Sequence, residues 1–596
     1  MSILLLLALV ACSGTTTVDV TSESAGTATS SDSTIADVLA VSDESTAVAA
    51  TAPASAAEAL AETAATIEPV AVVDAAAAVA DSAAVTIALN GDAISADSAA
   101  VTVNGRVATI TAAGTYTLSG ALTDGQIVVD TEDEDVVTLV LNGVDISNST
   151  TAPIAVMNAE AVVIVLADNS VNNVTDASSY VFPNAEEDEP NAAIFSNADL
   201  TISGNGALTV TGNYNDAISS DDALTIAGGA ITVSAVDDGL RGKDTLLIQD
   251  GTITVTAAGD GLKSDNEDDA TLGYVAIEGG VINVVSGGDA IAAETDVLIT
   301  GGEFNLSAGG GSGAQIAADA SAKGIKGLVN VLIDNGTFTI DTADDAIHSN
   351  GNITINGGTF TLATGDDGMH ADATLTINGG TVIIPTSYEG LESAVITINA
   401  GDINLTAGDD GINVAGGTDG SGMAAGPGRG GRGQGDAVTY SGSYYLYING
   451  GTIMVNAAGD GLDANGAIEM TGGLVVVNGP TESMNGALDY DGTFNISGGT
   501  LIAVGSAGMA QAPTSGSTQS SVLMGVGNQA AGTEVSIQNA AGESILSFTP
   551  AKTFATILFS SADLVQGEEY TLYLGGSEYG SYTQASVVTT LGGQSR

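Results

Sequence analysis

The sequence predicts an all-β protein: a right-handed parallel β-helix of about 22 residues per coil, closed by a small β-rich C-terminal domain. Three observations predict it. Basic helix formers are scarce, with ten Lys and Arg in 596 residues, while Gly, Thr, Val, Ile, Asn and Asp abound. Between residues 194 and 505 the chain repeats itself, as in DAISSDDALTIAGGAITVSA, DGLRGKDTLLIQDGTITVTA and DAIHSNGNITINGGTFTLAT. Ile218, Leu240 and Leu262 stand 22 residues apart, as do Ile325, Ile347, Met369 and Leu391, and each copy carries three short apolar runs and a glycine turn.

One coil can be walked residue by residue. A short strand points Leu240 inward, a second after a bend points Leu246 and Ile248, and a third after Gly251 points Ile253 and Val255. Stacking such coils about 4.8 Å apart pairs each backbone with the coil above and below and piles aliphatics on aliphatics. A leucine-rich repeat has a similar period but needs a helical arm and a Leu spacing that are missing.

The remaining segments follow in order. LVAC at residues 9–12, after an apolar run, reads as a lipoprotein signal with Cys12 as the lipidated residue, although no Lys or Arg precedes the run. Residues 13–82, rich in Ala, Ser, Thr and acids, read as a disordered tether with a partly helical second half. Residues 83–510 form the β-helix, its less regular first coils and cap lying in 83–193, with a Gly-rich insertion at 416–436 that carries Arg429 and Arg432. Residues 511–596 form the terminal domain, suited to shield the last coil's open edge.

The formal net charge is −62, which repels nucleic acid and anionic lipid, so a direct polyanion partner needs a local basic patch or bridging cations, and no nucleic-acid partner is expected. The single cysteine precedes the folded part, so disulfides and cysteine metal sites are excluded there. The expected protein is extracytoplasmic and monomeric, touching a membrane only through its lipid anchor.

Two columns carry chemistry. The first begins each coil: Asp216, Asp238, Asp260, Asp289, Asp345, Asp367, Glu389, Asp410 and Asp460, with Lys323 the exception. Carboxylates about 5 Å apart repel by nearly 1 kcal/mol even at water's dielectric constant, so something must compensate. A lone Asp here reads first as a cap on its bend. The doubled acids Asp237, Asp344, Asp366 and Asp409, with SDNEDD at 264–269, favour at least one calcium, which takes six to eight oxygens.

The second column follows each inward aliphatic: Ser219, Arg241, Lys263, Ala292, Lys326, His348, His370, Glu392, Asn413 and Asp463, with Lys243 close by. Both histidines of the chain fall in it. These cations are expected to face solvent beside the acids. They serve as an ion-pair lattice, as a groove for a linear acidic glycan with calcium, or, with Arg241 or Lys263 as base, as a lyase. The lyase needs a depressed cation pKa, which surrounding acids oppose. His348 and His370 are one coil apart, a spacing compatible with a transition metal but read first as stripe members. Aromatics are few, and YSGSYYLY at 440–447 offers the best sugar-stacking platform.

LTISGNGALTV, DDGLRGKD and GDGLKSDNEDD resemble a clostridial-type carbohydrate-binding β-helix family, pectate-lyase-like in fold and associated with polygalacturonate and calcium. The resemblance runs from about residue 85 to 510. It implies a surface glycan-binding protein with Asp237, Asp238, Asp260 and Asp265 as calcium ligands. The expected function is therefore non-enzymatic binding of acidic polysaccharide. The alternatives are a pectate-lyase-like enzyme and a structural adhesin whose acidic columns only collect cations.

Overall fold

The period of 22 residues becomes one coil of three strands in a computed structural model, which describes residues 54–64, 77–78, 80–81, 83–182, 188–317, 320–415 and 443–592. Strands Leu240–Gly242, Thr245–Ile248 and Thr252–Ala257 make one coil; Leu262–Ser264, Tyr274–Ile277 and Val281–Ser286 make the next. Each pairs in parallel with its counterpart: Leu240 with Leu262, Leu246 with Val275, Ile253 with Ile282. The chain is thus an all-β parallel β-helix. Cys12, most of the tether, the Gly-rich insertion and residues 440–442 lie outside the described residues. Among the described residues no helix is long and apolar enough to cross a membrane.

Inward side chains stack in register. Ile218, Leu240, Leu262, Ile291, Ile325, Ile347, Met369, Leu391, Ile412 and Leu462 are all fully buried, forming one continuous core. Phe304, Phe338 and Phe360 continue it as a pile of near-parallel rings 4.5 and 4.6 Å apart. Glycine marks the tight places. Gly251 turns at φ 121°, a left-handed conformation that β-carbon-bearing residues avoid. Gly261 needs no unusual φ but leaves no room, since a Cβ there would meet the Ala290 carbonyl oxygen at 2.6 Å. Gly261→Ala is therefore expected to lower stability by about 1–3 kcal/mol in urea unfolding. An unchanged midpoint would show that neighbouring coils separate freely.

Both ends of the stack depart from parallel pairing. Val85–Gly91 pairs in parallel with Gly114–Leu122 but antiparallel with Ile94–Ala96. At the other end Thr500–Gly505 is flanked by the antiparallel strand Phe554–Ser560, which also pairs with Ser521–Gln529. A four-stranded antiparallel sheet built from Val535–Asn539, Ser544–Phe548, Glu569–Leu574 and Ser577–Thr583 completes the terminal segment. Its core residues Val535, Ile537 and Tyr570 pack with Val476, Ile502 and Val504 of the last coils.

Ala56–Ala64, in the half of the tether expected to be partly helical, is an α-helix. Ser55 Oγ accepts the Glu58 N–H at 3.1 Å, and Asp334 accepts the N–H groups of Ala56 and Ala57 at 3.2 and 2.9 Å. Ala56 and Ala59 pack on Tyr274, Ala276, Leu298 and Leu332, outward residues of the second strands. Alanine-rich composition permits the helix; a small apolar patch on a distant part of the chain fixes it.

Candidate functional site

The first column is a ladder of acids whose upper rungs hold the lower ones. One oxygen of each accepts the backbone N–H of the next coil's leading residue: Asp238 N–H to Asp216 at 3.1 Å, Asp260 to Asp238 at 2.7 Å, Asp289 to Asp260 at 2.8 Å, Lys323 to Asp289 at 2.7 Å. The pattern resumes with Asp367 N–H to Asp345 at 3.0 Å and Glu389 to Asp367 at 3.1 Å. The expected cap is present, but it reaches across coils rather than within the bend. A charge-assisted bond from a backbone donor offsets part of the cost of burying each carboxylate.

The second column is in register throughout. Arg241 pairs with Ser219 and Lys263, Lys326 with Ala292 and His348, His370 with His348 and Glu392. Its side chains do not stand out into solvent as expected. His348 is 5% and His370 2% exposed, because a residue three after the Asp folds back over the bend onto its own coil's acid. His348 Nδ1 lies 2.8 Å from Asp345 Oδ2, and Lys263 Nζ lies 3.0 and 3.2 Å from Asp238 and Asp260. Lys326 meets Asp289 at 3.2 Å; Arg241 meets Asp265 at 3.0 Å and Asp221 at 3.3 Å. Lys243 is half-buried and makes no ion pair among the described residues.

These contacts hold the cations charged. Burial favours deprotonated Lys263, but the carboxylates of Asp238 and Asp260 outweigh it and raise its pKa. Arg241 is raised likewise, chiefly by Asp265 against the cost of burial. Neither is suited to remove a proton near neutral pH.

The expected calcium ligands divide. Asp216, Asp237 and Asp238 converge, each offering an oxygen within 4.8 Å of the others, as do Asp344, Asp345 and Asp366. At the second group Lys323 already stands as the cation, its Nζ 2.9 Å from Asp344 and 2.7 Å from Asp345. The exception in the acid column is thus a built-in counter-ion for Asp344 and Asp345. Asp260 belongs to the ladder with Lys263, and Asp265 is engaged by Arg241. In SDNEDD, Asn266 Oδ1 accepts the N–H groups of Asp268 and Asp269 at 2.9 Å, closing the loop on itself. Asp410 converges with Asp460 and Asp463 rather than with Asp409, whose Oδ2 accepts the Tyr388 hydroxyl proton at 2.7 Å.

Charge compensation is strongest at Asp345; earlier in the ladder burial and Asp238 push Asp216 up to about 7. The Asp345 carboxyl is fully buried, which pushes it up, yet Lys323 and His348 more than reverse this and hold it well below the usual range. Beyond it, burial followed by neighbouring acids raises Asp367 well above that range. Burial and Glu392 push Glu389 up to about 9, and burial with Asp463 and Asp460 pushes Asp410 up to about 9. Asp463 rises to about 7 and Asp460 to about 6, burial being the first cause in both.

Aromatic groups bracket the ladder. Tyr445 and Tyr447 stack at 5.4 Å, but on the second strand of their coil, away from the cation column. A second group was not anticipated: Tyr214, two residues before Asp216, stacks on Tyr180 at 4.2 Å beside Phe182. Tyr214 and Phe182 are half-buried and the only sequence signal was the Tyr in GNYND.

With this geometry in view, the chain can be compared with known proteins. Residues 104–368 match a family described as carbohydrate-binding domain-containing protein. The matched segment contains the ladder from Asp216 to Asp367 and the cations Arg241, Lys243, Lys263 and Lys326. A carbohydrate-binding domain-containing protein of Acetivibrio thermocellus is 45% identical over 150 residues, covering 25% of this chain and 52% of that protein. The chain thus spans about half the length of this curated relative. A solved structure of a polysaccharide lyase-like protein from C. thermocellum, as its gadolinium derivative, is 35% identical and covers 46% of this chain and 96% of that one. Its TM-score is 0.38, so the architecture described here rests on strand pairing alone.

Proposed function

We propose that the face formed by the two columns binds an acidic polysaccharide such as polygalacturonate, with calcium bridging carboxylates of protein and glycan, and carries out no reaction. The supporting observation is the carboxylate group repeated along one face, at Asp216, Asp237 and Asp238 and again at Asp410, Asp460 and Asp463. Both offer oxygen donors alone, the chemistry calcium takes. Lys263 meets only Asp238 of the first group, at 3.0 Å, whereas Lys323 joins Asp344 and Asp345 of its own. A linear glycan presents acids at regular intervals, as stacked coils do. The match of residues 104–368 to a carbohydrate-binding family agrees with this reading. Lys243 gives the face an uncommitted cation, and Tyr214 with Phe182 gives it an aromatic rim at one end.

The test uses purified full-length chain and polygalacturonate beads. Retention is expected in calcium, loss in chelator, and a fall of about three- to tenfold for Lys243→Ala with an unchanged melting temperature. No unsaturated, ultraviolet-absorbing product is expected to form. Absence of retention even in calcium would point instead to a structural ion-pair lattice, retention indifferent to chelator would overturn the calcium bridge, and product formation would point to a lyase.

A further inference from the structure

The point where lysines run out contains a different donor set. Asp367 Oδ2, His370 Nδ1 and Glu392 Oε2 lie within 4.8 Å of one another. His370 Nδ1 is 3.5 Å from Asp367 Oδ2 and 3.8 Å from Glu392 Oε2. All three atoms are buried, and among the described residues none has a hydrogen-bond partner. Asp367 is 0% and His370 2% exposed, so bulk solvent does not reach these atoms. Each unsatisfied buried polar atom is costly, and two carboxylates turned towards one point repel. A positive ion joining them would remove both costs at once.

The separations say what kind of group fits. A hydrogen bond would draw nitrogen and oxygen to about 2.8 Å. Two donors bonded at about 2.1 Å to one tetrahedral ion stand about 3.4 Å apart. The observed spacings resemble the second case. One imidazole nitrogen with two carboxylates is a borderline donor set, suited to zinc-class ions, whereas calcium prefers oxygen alone.

The surrounding residues prepare these three donors. Asp367 Oδ1 accepts the Glu389 N–H at 3.1 Å, which turns Oδ2 towards the histidine. Behind the ring, Asp372 Oδ1 lies 3.5 Å from His370 Nε2, positioned to keep the proton there and leave the Nδ1 lone pair forward. The adjacent Asp345 Oδ2 is already engaged by Lys323 at 2.7 Å and His348 at 2.8 Å, so it does not compete. The strands help as well: Met369–Ile377 and Leu391–Ile398 run straight through the place where other coils bend, with a register shift between Ala371 and Thr374. The histidine and Asp372 therefore sit on one unbroken strand.

We propose that Asp367, His370 and Glu392 bind one divalent transition-metal ion of the zinc class, with water in a fourth position on the side of Glu392, whose side chain is 14% exposed. This site is separate from the calcium groups and does not rest on glycan binding.

The experiment uses the tag-free full chain, stripped by chelator and titrated with Co2+ alone. One equivalent is expected to bind with visible d–d absorption, to be displaced by Zn2+, and to resist a hundredfold excess of Ca2+. His370→Ala is expected to weaken binding by more than about tenfold, and the milder Glu392→Gln to do so with folding intact by circular dichroism. His348→Ala, outside the donor set, is expected to keep the cobalt spectrum. No stoichiometric cobalt binding by the folded chain, retention of the spectrum in a folded His370→Ala or Glu392→Gln, or ready displacement by Ca2+ would each overturn the proposal.

Discussion

In chelator, the melting temperature of the β-helix is expected to fall as pH rises from about 5 to about 9, against the ordinary course of acid denaturation. The cause is the uncompensated stretch of the ladder, where Glu389 and Asp410 are pushed up to about 9 and Asp463 to about 7. Their unfolded values are near 4, so between about pH 4 and 9 the folded chain holds more protons than the unfolded one. Stability must then fall with rising pH, by several kcal/mol in order of magnitude across the group. It is fully present below the unfolded values and lost as pH passes through the folded ones. Asp345 acts in the opposite sense: its lowered pKa contributes stability above about pH 4 that disappears as the acid range is entered. Maximum stability is therefore expected near pH 4–5. Saturating calcium should flatten the alkaline decline, because it favours the ionised acids. Calorimetry at five pH values, with and without calcium, checks this. A melting temperature that climbs from pH 5 to 8 in chelator would show that these acids are ionised in the native chain.

The second large effect is expected at Lys323. Its ammonium is within 2.9 Å of two carboxylates, and Asp345 is 0% exposed. Lys323→Met keeps most of the volume but leaves Asp345 with His348 and, at 4.0 Å, His370, so a loss of about 3–5 kcal/mol is expected in urea unfolding. Lys326→Met, which removes a side chain 26% exposed that meets Asp289 and the Ser321 hydroxyl, is expected to cost under about 1 kcal/mol. Adding Asp344→Asn and Asp345→Asn to Lys323→Met should recover much of the loss, since the charges to be balanced are then gone. Equal destabilisation by Lys323→Met and Lys326→Met would remove the counter-ion role assigned to Lys323.

The fold was legible because a period repeats the same demand. Once Leu240 and Leu262 are inward, every residue between them has its place, and the alignment of Arg241, Lys263, Lys326, His348 and His370 follows. What the period does not encode is where a side chain turns after leaving the backbone. Arg241 and Lys263 turn sideways onto acids of neighbouring coils, and the histidines bury themselves, because burial in the column depends on partners one coil away. Lys323 stood out as an exception, yet its meaning needed the distance to Asp344 and Asp345. Glu392 could be assigned to the column but not to a donor set, since the loss of a bend in Met369–Ile377 and Leu391–Ile398 is a local departure from the repeat. The docking of Ala56–Ala64 on residues nearly three hundred positions away has no periodic signal at all.

A stack of matching coils has no intrinsic reason to stop, and an uncovered terminal coil would accept the first coil of another molecule as readily as one of its own. Phe554–Ser560 runs the wrong way for that continuation, and so does Ile94–Ala96 at the opposite end. Reversal of strand direction at both ends thus removes the parallel edge on which a further coil of the same kind would stack.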